Sequence, residues 1–410
     1  MQESQENNNL KKLENIIFLG GLFPVELRSE IEKKSMGVIQ YAADALQWNI
    51  LEGLDFYTDE IKIINLVYIG SYPRRYSSLR IKSFVFSHKR GARDINVGFI
   101  NLTAYKTISR YYNAKRVLRK HVKKGNETII VYAIQTSLLS AAVKLKKKNR
   151  HLKICLIVPD LPDFMIGNSN PLLRILKRIE ICFIKKALLK IDAFVLLSDF
   201  MTKPLNVGSR PWIRMEGIFN PKDNLNDVKK EQYKTILYSG TLARRYGILN
   251  LLDAFSMIES QDYRLWICGD GDAREEIKQR TNHDFRITYF SQIPRKKVLE
   301  LQKKATVLVN PRTSEGTFTK YSFPSKTMEY LASGTPCIIH FLDGIPKEYL
   351  DYCFIPNDET PIGLTKIITS VCEKSPEELR KFGIKAKQFI LDQKTPIKQS
   401  GKIFSMLKSL

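Results

Sequence analysis

Short, wholly apolar runs alternate along this chain with longer stretches whose apolar residues recur every three or four positions. The first pattern predicts buried strands and the second predicts helices with one face on a core. Ile16–Leu19 reads as a strand closed by Gly20-Gly21, and Ala42–Leu54 as a helix. Ile63–Ile69 reads as a strand ending at Gly70, and Thr128–Tyr132 as a strand followed by a helix over Ser137–Lys148. Leu152–Val158 predicts a strand before Pro159-Asp160, Leu172–Lys190 a helix, and Ala193–Leu197 a further strand.

The pattern stops at 220–231, where NPKDNLNDVKKE is polar and rich in turn formers, as expected of a linker. It then restarts. Strands are predicted at Thr235–Tyr238, Tyr263–Cys268, Ile287–Phe290, Thr306–Asn310 and Pro336–His340, with a helix at Ile248–Met257. The tail from Ser375 to Leu410 reads as helical, broken near Pro396. Strands separated by helices imply parallel sheets covered on both faces. The expected architecture is therefore α/β, with two doubly wound domains and ligands beyond the carboxyl ends of the strands. The boundaries expected are a disordered tail over 1–13, a first domain over 14–219, the linker over 220–231, a second domain over 232–392, and a terminal helix over 393–410 packing back on the first domain.

Length agrees, since 410 residues exceed one comfortable core. Charge adds something new. The formal net charge is +24, and residues 101–200 hold 20 Lys and Arg against 6 Asp and Glu. Such a surface favours anionic lipid, phosphorylated substrates or nucleic acid. Nothing resembling a nucleic-acid reading motif accompanies the charge, so nucleic acid ranks last. The six cysteines form no CxxC pair, which argues against a zinc site or a disulfide framework and fits a reducing cytoplasm. Residues 1–12 lack the apolar core of a signal peptide, and no apolar run is long enough to span a bilayer.

Candidate chemistry concentrates in Tyr321–Pro336, YSFPSKTMEYLASGTP. Pro324 suits a helix start and Gly334 a helix stop, so Ser325 and Lys326 fall where backbone N–H groups lack intrahelical partners. A helix end of this kind favours phosphate, and Glu329 one turn on can accept from sugar hydroxyls.

With Tyr238-Ser-Gly240-Thr241-Leu, Trp266-Ile-Cys-Gly269-Asp-Gly271, Ile287–Phe290, Ala305–Pro311 and Ser322–Pro336 in this order, the chain resembles the retaining nucleotide-sugar glycosyltransferases of family 4, the group 1 transferases of GT-B fold. The Tyr-Ser-Phe-Pro-Ser-Lys form resembles members from bacterial surface-polysaccharide clusters. The resemblance implies two Rossmann-like domains facing a central cleft, with the donor held by the second. Glu329 matches the second acid of the family's Glu-x7-Glu pair, which contacts ribose, whereas Tyr321 stands where the first acid would be. Gly240 matches the phosphate loop. Thr241 stands where that loop offers an Arg and Tyr246 where it offers a Lys, with Arg244, Arg245 and Lys326 as substitute cations.

The leaving pyrophosphate needs donors and cations, and Gly240, Thr241, Arg244, Arg245, Gly269, Ser325, Lys326 and Glu329 are the expected donor-binding set. The plain alternative is that Arg244-Arg245 is a solvated turn. Gly20 and Gly21 would let backbone approach the donor phosphate or the acceptor, or simply form a tight turn. Asp160 is the candidate catalytic residue, taking the acceptor proton or orienting hydroxyls, against the alternative of a cap or turn residue. His340 is a candidate for the donor pocket, while His88, His121, His151 and His283 read as surface residues. No metal and no cofactor are expected, as is usual for the GT-B class.

The basic amphipathic stretch Leu172–Lys190 and the aromatic, basic stretch from Tyr111 to Lys124 suit an anionic membrane surface, with packing on the sheet as the alternative for the first. The expected function is transfer of a sugar, UDP-linked for preference, to a saccharide or lipid-linked saccharide in surface-polysaccharide synthesis, by a cytoplasmic enzyme on the inner face of the cell membrane. A nucleotide-sugar epimerase of the same fold and a catalytically degenerate assembly partner are the rivals.

Overall fold

The structure, a computed structural model, describes residues 15–123, 125, 127–161, 171–223 and 228–410. Side chains are not described for 171–179, 223 and 317. The tail expected over 1–13 lies outside these residues, as does the middle of the linker stretch.

The chain divides into two compact units, one of Met1–Ile218 with Pro396–Leu410 and the other of Phe219–Thr395. In the first, β1 (Ile16–Gly20) is followed by α1 (Val25–Lys34), α2 (Tyr41–Asp55) and β2 (Ile61–Asn65). Four short strands come next: β3 (Arg80–Ile81), β4 (Phe84–Phe86), β5 (Asp94–Asn96) and β6 (Phe99–Ile100). Then follow α3 (Lys106–His121), β7 (Thr128–Tyr132), α4 (Thr136–Lys146), β8 (Lys153–Val158), α5 (Pro171–Leu188), β9 (Ala193–Leu196) and β10 (Trp212–Arg214). The second unit holds β11 (Lys234–Ser239), α6 (Ile248–Ser256), β12 (Tyr263–Cys268), α7 (Arg274–His283), β13 (Ile287–Tyr289), α8 (Arg295–Lys304) and β14 (Val307–Asn310). It continues with α9 (Ser325–Ser333), β15 (Cys337–Ile339), α10 (Pro361–Cys372) and α11 (Pro376–Gln393), and α12 (Pro396–Lys408) ends the chain.

Among the described residues the first sheet runs β10-β9-β8-β7-β1-β2-β5-β4, with β4 antiparallel to β5 and the other neighbours parallel. The second runs β13-β12-β11-β14-β15, all parallel. The doubly wound α/β expectation holds. Each sheet turns direction at its first strand, so β1 lies between β2 and β7, and β11 between β12 and β14. Such a switch point opens a crevice beyond the strands' carboxyl ends. Strand β11 shows why these runs are apolar throughout: Ile236 and Tyr238 join one buried cluster and Leu237 the other, so both faces are covered.

Two expectations need correction. The strand predicted over Ile63–Ile69 ends at Asn65. Leu66 and Tyr68 leave the sheet and donate their N–H groups to the carbonyls of Gly20 and Gly21, so the run stays buried without a strand partner. His88 is not a surface residue: its ring is 1% exposed and lies between two carboxylates, Nδ1 at 2.6 Å from Asp94 and Nε2 at 3.3 Å from Asp55.

Helix α12 packs on α2 within the first unit. Ser400 Oγ donates to the Ile50 carbonyl at 2.9 Å, and the rings of Tyr57 and Phe404 stack with centroids 5.3 Å apart. A Cβ on Gly53 would meet the Pro396 carbonyl oxygen at 2.0 Å, so the absence of a side chain there lets the two helices meet.

Candidate functional site

The second unit's site begins with Glu329 on the first turns of α9. Its carboxylate accepts from Gln302 Nε2, Lys326 Nζ and Arg295 Nη1, each at 2.8 Å. Burial raises a carboxyl's pKa, but here the Lys326 ammonium, then Arg295 and the Gln302 amide, outweigh it and hold Glu329 below the usual range. Gln302 reaches back from α8 to Ser239 Oγ at 3.0 Å. The Tyr330 hydroxyl also receives the Ser239 N–H at 2.7 Å. The end of β11, helix α8 and the start of α9 are therefore fastened together around one ionised acid. Lys326, expected as a phosphate cation, spends its charge on Glu329, and Ser325 is exposed at the helix start.

The loop after β11 is tightly folded. Gly240 donates its N–H to the Cys268 carbonyl at 3.0 Å, which takes that amide from the expected donor set. Gly269, at φ +140°, lies so close that a Cβ would meet the Gly240 oxygen at 1.8 Å. The two glycines serve the approach of neighbouring strand ends. Thr241 is exposed, and its carbonyl accepts from the Tyr238 hydroxyl at 2.7 Å.

The two substitute arginines part company. Arg244 pairs with Glu276, and its backbone N–H goes to Asp272. Arg245 instead lies over the rings of Tyr246 and Phe318, 5.0 and 5.8 Å from their centroids. Over the same rings sits Arg312, 5.1 and 4.7 Å away, which follows β14 and is 9% exposed. Arg312 donates to Ser322 Oγ at 2.9 Å, yet its buried Nε has no partner. Burial lowers its pKa, and the Arg245 charge adds to that. Sequence reasoning missed Arg312, Arg295 and Gln302. An Arg directly after an apolar strand that ends in Asn-Pro was the available signal for the first; the other two lie on a polar helix that offers none.

Gly20 and Gly21 are buried. Gly21 donates to Gln47 Oε1 at 2.8 Å, and a Cβ on it would overlap the Tyr68 ring at 1.9 Å. In this structure their smallness makes room for protein, which departs from the phosphate-approach expectation. Asp160, after β8, opens onto a cavity of about 670 Å³ in the first unit. The residue is exposed at the cavity's edge, and partial desolvation by its surroundings raises its pKa. His340 is buried with Nε2 unpartnered, and burial lowers its pKa. Among the described residues no cluster of His, Cys, Asp and Glu could hold a metal ion. No helix there is long and apolar enough to cross a membrane.

Residues 221–389 match the family described as Glycosyl transferases group 1. No curated protein sequence matches the chain. Solved structures match at the level of fold. Sucrose-phosphate synthase from Thermosynechococcus elongatus is 15% identical with a TM-score of 0.63, over 97% of this chain and 100% of that one. Anabaena HepE in complex with UDP is 11% identical with a TM-score of 0.63, over 97% and 100%. The lipopolysaccharide outer core galactosyltransferase WaaB is 14% identical with a TM-score of 0.62, over 96% and 99%.

The chain thus carries a group 1 glycosyl transferase domain within a GT-B fold.

Proposed function

We propose that this protein is a retaining family 4 glycosyltransferase. In this reading it moves a sugar from a nucleotide diphosphate, UDP for preference, to a saccharide acceptor carried on a lipid, in the synthesis of a cell-surface polysaccharide. The observation that carries the reading is Glu329, ionised and held by three donors inside the matched domain. A nucleotide ribose would take over part of this carboxylate, exchanging the Lys326 and Arg295 contacts for hydroxyl donors. Lys326 would then be free to turn toward phosphate. Arg245, Arg312 and the start of α9 supply positive potential for the leaving pyrophosphate without a metal ion. Asp160 is the proposed proton acceptor or hydroxyl orienter. The likeness in fold to HepE with UDP and to WaaB favours this donor and pathway.

Membrane docking belongs to the same proposal. On α5 Ile184, Ala187 and Leu188 are buried while Phe183, Lys185 and Lys186 are exposed; the side chains of 172–179 lie outside the described residues. On α3, Ile108 and Tyr112 are exposed beside Arg116, Arg119 and Lys120. Cations flanking exposed apolar groups suit the anionic cytoplasmic face of a membrane.

A thermal-shift screen against nucleotide sugars tests the donor assignment. One nucleotide sugar should raise Tm and be consumed only when a saccharide acceptor is added. Absence of any nucleotide-dependent shift overturns the reading, and turnover of the donor with no acceptor replaces it with an epimerase.

A further inference from the structure

The cavity of about 670 Å³ in the first unit lies beyond the carboxyl ends of β2, β7 and β8. Three cations line it: Lys106 and Arg110, one turn apart on α3, and the exposed Arg75. The burial of Arg110 is the unusual point. Arg110 is 4% exposed, packs between the rings of Tyr68 and Phe99 at 5.3 Å from each, and donates Nη2 to the Leu66 carbonyl at 2.8 Å. Among the described residues its Nε has no partner, and neither has the buried hydroxyl of Tyr132, which lines the same cavity. Lys106 donates to the Ile69 carbonyl, and among the described residues neither Lys106 nor Arg110 has an acidic partner. Burial, with Arg110 nearby, brings the Lys106 ammonium down to about 7, and burial brings Arg110 down to about 10.

A buried Arg110 beside a half-buried Lys106, like charges with idle donors, is costly unless an anion completes them. On another wall of the cavity stand Asp160 and Glu180, carboxylates suited to sugar hydroxyls; Glu180 already accepts from Thr136. The geometry points to a phosphate-type dianion held by Lys106, Arg110 and the Tyr132 hydroxyl, so that the acceptor is a phosphorylated saccharide whose hydroxyls meet Asp160. The acceptor assignment rests on the transferase reading. The anion site itself does not.

Calorimetric titration with inorganic pyrophosphate and with UDP separates the possibilities, using wild type, Lys106→Met, Arg110→Met and Glu329→Ala. Pyrophosphate should bind wild type and Glu329→Ala alike, and roughly tenfold or more weakly in Lys106→Met. Should Arg110→Met fail to fold, Lys106→Met alone decides, because that side chain is only half-buried. Pyrophosphate binding that is insensitive to Lys106→Met, or absent in wild type, overturns the site. Wild type saturated with UDP should still bind pyrophosphate through Lys106; its displacement by UDP would hand the anion to the donor and overturn the acceptor assignment. UDP binding that is absent, or untouched by Glu329→Ala, removes the transferase reading and the acceptor assignment, and leaves the anion site standing.

Discussion

Gln302 on α8 donates to Glu329 Oε1 on α9 at 2.8 Å while its same nitrogen lies 3.0 Å from Ser239 Oγ at the end of β11. One amide thus sets the position of the acid that is to receive the nucleotide. Losing an acceptor that is ionised and hydrogen-bonded removes about 1.5–3 kcal/mol of binding. Glu329→Ala should therefore weaken UDP binding by roughly tenfold to a hundredfold. Gln302→Met should weaken it less, since Lys326 and Arg295 still hold the carboxylate. Calorimetry with UDP and a thermal melt of each variant check this; full affinity in a folded Glu329→Ala protein would refute the donor site.

Arg244 and Arg245 are adjacent but not equivalent. Arg244 is committed to Glu276, whereas Arg245 shares the rings of Tyr246 and Phe318 with Arg312. Arg245→Ala should weaken UDP clearly more than uridine, because the missing charge serves the diphosphate. Arg244→Ala should change neither by more than about twofold, in keeping with the small worth of exposed ion pairs. Equal losses for both variants would place the phosphates elsewhere on the loop.

His88 predicts how stability follows pH. Burial disfavours its charge, but Asp55 and Asp94 outweigh this and raise its pKa to about 9. A histidine raised on folding contributes fully below its unfolded pKa of about 6.5 and loses that contribution as pH climbs through the folded value. Stability of the first unit should fall between about pH 6.5 and 9, by a contribution on the order of 3 kcal/mol. His88→Gln should flatten that part of the profile. A wild-type profile that is flat there, or already identical to that of the variant, would count against the charged pair.

Gly53 tests the seat of α12. A methyl group there meets the Pro396 carbonyl, and overpacking of this kind costs about 1–3 kcal/mol. Gly53→Ala should lower Tm by several degrees without altering UDP affinity. An unchanged Tm would mean that α12 shifts away at no cost.

Most of this architecture was legible from local signals. Strands buried on both faces must be apolar throughout, so Ile129–Tyr132 and Ile154–Val158 stood out as unbroken runs. Pro324 marked the start of α9 because its missing N–H costs a helix nothing there, and Gly334 marked the end because few other residues adopt its φ of +78°. The strands of two or three residues between Arg80 and Ile100 were hidden, since so short a run carries no period.

By itself, then, the sequence determined which segments become strands and helices, where the pattern breaks near residue 220, and that Glu329 sits at the start of a helix. Those properties depend on neighbours along the chain. Only the tertiary structure decided that Lys326 and Arg295 converge on Glu329, that Arg312 rather than Arg244 joins Arg245, and that Arg110 is buried, with Lys106 half-buried near it, beside unpartnered donors. Charge in a sequence has no direction. Its partner and its burial are set by elements far apart along the chain, meeting at the two places where the sheets change direction.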